Sequence, residues 1–176
     1  MKTFTQKNDE VFVTESDVVS VSESDIAFLK KQALANPRKR ARICAHRDSA
    51  DALHEMIIAI GKGSYLRPHK HIGKSESFHI IEGEASVALL DDNGTITQVI
   101  ALGAPGTGKS PFYRLSDDRF HMLVVLSDVL VMHEVTNGPF IREQTIQAPF
   151  APDEADAEKS TAYLTEISER LQAPCR

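Results

Sequence analysis

The chain has 176 residues, a formal net charge of −5, 41% hydrophobic residues and two cysteines. That length fits one domain with its own core, the acidic balance argues against general nucleic-acid binding, and the two cysteines make no disulfide framework. No apolar run approaches the roughly 20 residues of a membrane span, and Met1-Lys2-Thr3-Phe4-Thr5-Gln6 lacks a signal-peptide apolar region. The expectation is a cytoplasmic protein with neither nucleic-acid nor membrane partners.

In chain order, Val11-Phe12-Val13 and Val18-Val19-Ser20-Val21 are short β-like runs. An arm from Val11 to Val21 is too small to bury its own apolar side chains, which predicts pairing with a second copy and hence a homodimer. Ser22-Glu23-Ser24-Asp25 opens a helix capped by Ser22 or Ser24, Ile26, Leu29 and Ala33 follow at helical spacing, and Asn36-Pro37 stops it. Arg38-Lys39-Arg40 with Arg42 is the one basic cluster, either a solvated face or a hold for an anionic ligand. From Ile43 to about Phe140 the sequence reads as strands and turns, with Cys44 as a small buried hydrophobe. Ser86–Leu90 and Thr95–Ile100 flank Asp91-Asp92-Asn93-Gly94, whose Asn-Gly step is a hairpin signal. After Pro149-Phe150-Ala151-Pro152, Tyr163, Leu164, Ile167 and Leu171 make the apolar stripe of a terminal helix, and Cys175 sits in the tail. The reading is an all-β, barrel-like core with a helix at each end: residues 1–42 for the arm and first helix, 43–150 for the barrel, 151–176 for the last helix and tail.

The chemistry concentrates in Gly63-x₅-His69-x-His71-x₄-Glu76-x₆-Gly83. His69 and His71 stand at i and i+2, so on a strand both imidazoles leave one face and can share one ion. The segment His71-Ile72-Gly73-Lys74-Ser75 lets the chain double back as a hairpin and bring Glu76 to the pair. A mixed N and O set of this kind suits Fe, Mn, Ni, Cu or Zn. A fourth ligand is expected from a distant strand, and His121, ahead of the apolar run Met122–Leu126, is the candidate. Alternation puts His79 on the face opposite Glu76. His46, His54 and His133 lack a partner at ligand spacing and read as packed histidines.

A second motif competes. Gly103-Ala104-Pro105-Gly106-Thr107-Gly108-Lys109-Ser110 matches the phosphate-binding pattern G-x₄-G-K-S in full. That reading needs a helix opening at Lys109, whereas Pro111-Phe112-Tyr113-Arg114-Leu115 offers none and the chain lacks alternating strand and helix units. A loop between antiparallel strands accounts for the same letters, leaving a nucleotide binder as the remote alternative.

The His69-x-His71-x₄-Glu76 motif resembles the first signature of the cupins. More narrowly, Pro37–Arg42, His46, Glu55–Ile60, Gly63-Ser64-Tyr65, Pro68–His71, Lys74–His79 and Glu134–Phe140 resemble the WbuC-type cupin-fold metalloproteins. The second cupin signature, Pro-x-Gly-x-x-His, is degraded: Ser116 and Asp118 stand at its Pro and Gly positions ahead of His121. The resemblance implies a cupin double-stranded β-helix, or jelly-roll barrel, with one divalent transition metal ion on His69, His71, Glu76 and His121. It also points to a dimer and, through the family's tie to surface-polysaccharide genes, to a sugar or sugar-nucleotide substrate.

Four protein ligands on an ion that accepts six leave positions for small-molecule chemistry, isomerisation or oxygenation among them. Tyr65, Lys74 and His79 are candidate catalytic groups, with Arg67 and Arg42 as further neighbours of the ligands. The alternative is a metal-containing binding or sensor module without turnover, since no general acid or base is identified by sequence.

Overall fold

The computed structural model describes residues 4–172, and Cys175 lies outside them. The chain opens with β1 (Thr5–Asn8), β2 (Val11–Val13) and α1 (Glu23–Ala35). Ser22 caps α1 through a capping box: its hydroxyl accepts from Asp25 N while the Asp25 side chain accepts from Ser22 N. Asn36, extended ahead of Pro37, ends the helix. The β-branched run Val18–Val21 forms no strand, and Val18 is 81% exposed. β2 pairs with β1 on one side and, in parallel, with β3 (Arg40–Cys44) on the other. Val11–Val13 is thus paired on both edges within its own chain, while Val18 stays exposed. The edge passes to β1, whose exposed polar side chains suit a solvated rim.

Beyond β3 run β4 (Leu53–Gly61), β5 (His69–His71), β6 (Glu76–Glu82), β7 (Glu84–Leu90), β8 (Ile96–Gly103), β9 (Phe112–Leu115), β10 (Phe120–Val125), β11 (Val129–Asn137) and β12 (Thr145–Gln147), and then α2 (Ala157–Gln172). They form a seven-stranded sheet, β1-β2-β3-β4-β11-β6-β9, and a five-stranded sheet, β12-β5-β10-β7-β8. The two face one another across a shared apolar core. Side-chain alternation fills the space between them. Met56, Ile58 and Ile60 of β4, Phe78 and Ile80 of β6 and Leu130 and Met132 of β11 meet Val87, Leu89, Leu123 and Val125 of the other sheet.

Both outer faces are also covered, which is why β10 is buried along its whole length and β7 nearly so. Ala88, Leu90, Met122 and Val124 pack under Tyr163, Leu164, Ile167 and Leu171 of α2. On the far side, Ala41, Ile43, Ala59 and Val131 pack under Leu29 and Ala33 of α1. The layers run helix, sheet, sheet, helix. Among the described residues, no helix is long and apolar enough to cross a membrane.

The Gly103–Ser110 segment is the connection from β8 to β9. Gly106 and Gly108 take φ of +93° and +76°, Pro111 leads straight into a strand, and the Lys109 ammonium pairs with the Glu84 carboxylate. With no helix N-terminus there, the phosphate cradle is missing, so the nucleotide-binding alternative is set aside.

Candidate metal centre

The metal motif is not the hairpin that its spacing suggests. β5 belongs to the five-stranded sheet and β6 to the seven-stranded one, and the turn between them, with Gly73 at φ +67°, carries the chain across the gap. The crossing brings Glu76 to the two imidazoles from the opposite wall. His121, second residue of β10, is the cross-strand partner of His69. One ligand atom each from His69, His71, Glu76 and His121 lies within 4.8 Å of the others. His121 and Glu76 are 3% and 6% exposed. The turn ahead of His121, without its Pro and Gly, is held otherwise: Asp118 Oδ1 accepts from Gly73 N at 3.0 Å, tying the two ligand-bearing loops together.

The histidines are oriented for a cation. His69 Nδ1 lies 2.9 Å from Arg67 O, and His121 Nδ1 lies 3.2 Å from Arg119 O. A carbonyl only accepts, so both Nδ1 atoms carry the proton and both Nε2 atoms keep a lone pair. Thr145 Oγ1, on β12 opposite His71, lies 3.1 Å from His71 Nδ1 and gives that ring the same kind of anchor. His121 Nε2 sits 3.1 Å from Glu76 Oε2, yet both atoms are buried without a hydrogen-bond partner. With the ring neutral, two acceptor atoms facing one another in a dry interior repel unless a metal ion or a proton lies between them. The donor set, three imidazole nitrogens and one carboxylate with their far sides hydrogen-bonded, fits a divalent transition metal.

Without an ion, burial and the neighbouring charges set the protonation of each group. Burial, then His121, pushes His69 down to about 4, so it is neutral at pH 7. Burial alone would raise Glu76, but the hydrogen-bonding influence of His121 and His71 holds its carboxyl well below the usual range. At His121 burial opposes the imidazolium, and Glu76 outweighs it, so the ring is raised.

A cavity of about 700 Å³ opens above the four groups, lined by Met56, Ile58, Phe78, Leu123 and Met132 as apolar walls. Of the candidates named from sequence, Lys74 reaches this cavity, with its ammonium donating to Pro139 O at 2.6 Å, and Arg42 and Arg67 line it as well. Tyr65 and His79 are placed elsewhere. The Tyr65 hydroxyl donates to Pro152 O at 2.9 Å and its ring packs edge-on against Tyr163 of α2. His79 is exposed on the outer face of β6, as alternation predicts. His54, read as merely packed, lines the cavity too.

Two neighbours of the site escaped the sequence reading. Thr145 lies on a three-residue strand with no signal of its own. Glu134 was legible: Leu130, Met132, Glu134 and Thr136 alternate onto the inner face of β11, so period 2 alone points a carboxylate inward. Burial, then the Glu76 carboxylate, pushes Glu134 up to about 8 against the pull of Arg42. Folded protein therefore holds a proton that unfolded chain releases near 4.5, and stability falls as pH rises between about 4.5 and 8. In chelator-treated protein, Glu134→Gln should flatten that decline in melting temperature. An unchanged pH profile would show Glu134 to be ionised in the fold.

A family model described as a domain of unknown function, DUF6016, matches residues 21–102, a span that holds His69, His71 and Glu76 and stops before His121. None of the curated proteins matches the sequence. Among solved structures, protein SO0799 from Shewanella oneidensis is 13% identical with a TM-score of 0.50, covering 74% of this chain and 81% of that one. A cupin-2 domain from Rhodospirillum rubrum is 14% identical, covering 76% and 80%, with a TM-score of 0.49. An L-ribose isomerase from Cellulomonas parahominis is 15% identical, covering 56% and 60%, with a TM-score of 0.46. At this identity the likeness to protein SO0799 bears on the fold alone.

Proposed function

We propose that the chain is a cupin-type metalloprotein that holds one divalent ion, Fe, Mn, Ni or Zn, on His69, His71, Glu76 and His121 and acts on a small molecule in the cavity above it. One observation carries the reading: His121 Nε2 and Glu76 Oε2, buried and 3.1 Å apart, have no hydrogen bond. A bound ion supplies Lewis-acid or redox chemistry. The chain's own contribution is to fix the tautomers of His69 and His121 through Arg67 O and Arg119 O, to orient the His71 ring through Thr145, and to exclude water with the apolar walls. About 700 Å³ is the size of a small-molecule site. A sugar or sugar-nucleotide substrate is supported by the resemblance of Pro37–Arg42 and Glu134–Phe140 to the WbuC-type proteins. Metal analysis of protein purified without a metal-affinity tag should return close to one equivalent of a divalent transition ion per chain, followed by heats of binding for sugar nucleotides. Protein that carries none, and takes up none on titration with the four candidate ions, would sink the proposal.

A further inference from the structure

The seven-stranded sheet presents to the cavity more than apolar wall. Along β3, Ala41 and Ile43 turn to α1, so Arg42 between them faces the cavity, where it stays solvent-exposed, beside Ile58 of β4. Five arginines line the cavity. Glu10 and Glu154 engage Arg38 and Arg40, Asp17 engages Arg47, and Asp153 engages Arg67. Among the described residues, Arg42 has no carboxylate within ion-pair distance, the Glu134 carboxyl on the same wall feeling its charge from further off, and it stands in the same cavity as the four metal-ligating groups.

A second, independent observation lies on the neighbouring strand, at a residue about 13 Å along β4 from the Ile58 that Arg42 faces. His54 of β4 is 6% exposed, lines the same cavity, and its Nε2 has no hydrogen-bond partner. Its ring is stacked on His46 at 4.1 Å with an interplanar angle of 4°, which fixes its plane. A buried imidazole nitrogen left without a partner is costly, and the cost falls when a ligand supplies one. Register gives the distance to the centre. His54 faces Thr136 of β11, which faces Glu76 of β6, so His54 and Glu76 lie two strand spacings apart, about 10 Å. One small molecule can span that gap. The sign of the charge also follows. A divalent ion on one carboxylate and three neutral imidazoles leaves a net positive centre, and Arg42 adds a second positive charge across the same cavity, so the complementary ligand is an anion.

We infer that Arg42 and His54 form an anion-recognition wall, which takes the carboxylate or phosphate of a small ligand whose other end reaches the His69, His71, Glu76 and His121 cluster. The inference rests on the metal reading above. The guanidinium offers its planar pair of N–H donors to two oxygens of the anion, and His54 Nε2 offers a further contact along the same wall.

Cobalt(II)-loaded full-length protein, titrated calorimetrically with succinate, with glycerol 3-phosphate and with glycerol as the neutral control, tests it. At least one of the two anions should bind and glycerol should not. Which anion binds tells whether the wall is built for a carboxylate or a phosphate. Arg42→Ala should weaken that binding at least about tenfold, the loss of a charged hydrogen-bonding partner, and Arg42→Lys should recover part of it. Bound cobalt should remain at one per chain in all three proteins. Equal anion affinity in the unsubstituted and Arg42→Ala proteins, or no anion binding to either, with cobalt retained, would overturn the inference and leave the metal centre standing. Failure of the unsubstituted protein to take up cobalt would overturn the metal reading, and this inference with it.

Discussion

Replacing His121 by alanine should weaken binding of the divalent ion about tenfold or more, whereas His79→Ala should leave it unchanged. The two histidines separate because of where β6 and β10 put them. His121 is buried with its Nε2 directed at Glu76, and removing the ring deletes a donor and frees the carboxylate oxygen it faces. His79 stands on the outer face of β6, opposite His133 of β11, with the sheet between it and the cluster. Losses of this size are usual when a ligand or its orienting group is removed. The double variant His69→Ala with His71→Ala should go further and abolish bound metal while the far-ultraviolet circular dichroism stays that of a β protein, since the apolar contacts between the sheets are untouched. Competition against a chelating dye measures all of these affinities. Equal losses at 79 and 121, or full metal stoichiometry in the double variant, would require the centre to be redrawn.

A large effect on stability is expected at Gly83→Ala, at about 3 kcal/mol or more. Gly83 joins β6 to β7 with φ of +83°, a conformation that costs an L side chain about 1–2 kcal/mol. It is also crowded. A Cβ there would lie 2.4 Å from Val129 O and 2.4 Å from Ser127 Oγ. Ser127 Oγ accepts from Glu84 N and donates to Val129 O, so it cannot move aside without breaking both bonds, and overpacking of that kind adds about 1–3 kcal/mol. Gly63, the other glycine bracketing the metal motif, makes the control. Its φ is +80°, but the nearest atom to an added Cβ is Lys39 Nζ at 3.4 Å, the far end of a flexible side chain. Gly63→Ala should cost about 1 kcal/mol, from the backbone alone. Urea unfolding midpoints separate the two, and equal costs would show that the close approach at Gly83 is relieved by a small shift.

What could be read from the sequence was local in origin. The i, i+2 spacing of His69 and His71, the inward set Glu76, Phe78 and Ile80, and the outward His79 all follow from the two-residue repeat of a strand, which needs no knowledge of its neighbours. The cap at Ser22 and the stripe Tyr163, Leu164, Ile167 and Leu171 are local in the same sense. What went unread depends on which strands meet. β5 and β6 are five residues apart in sequence and lie in different sheets, a fact set by β5 pairing with β10 and β12 rather than by the intervening turn. Val18–Val21 has β-branched side chains and no strand to pair with, so its propensity goes unused. Tyr65 sits four residues before His69, but its ring is claimed by α2, nearly 100 residues later. Glu134 was within reach of the same alternation that served for β6.

The carbonyls that hold His69 and His121 belong to Arg67 and Arg119, each two positions earlier on the approach to the same strand. Every amino acid carries that carbonyl. Changing the letter at 67 or 119 therefore leaves the acceptor in place, while lengthening the turn between 116 and 118 would carry Asp118 away from Gly73 N. The aim of each ring is tolerant of spelling, and the tie between the two loops is intolerant of length. This is how His121 keeps its aim where Ser116 and Asp118 have replaced the proline and glycine expected ahead of it.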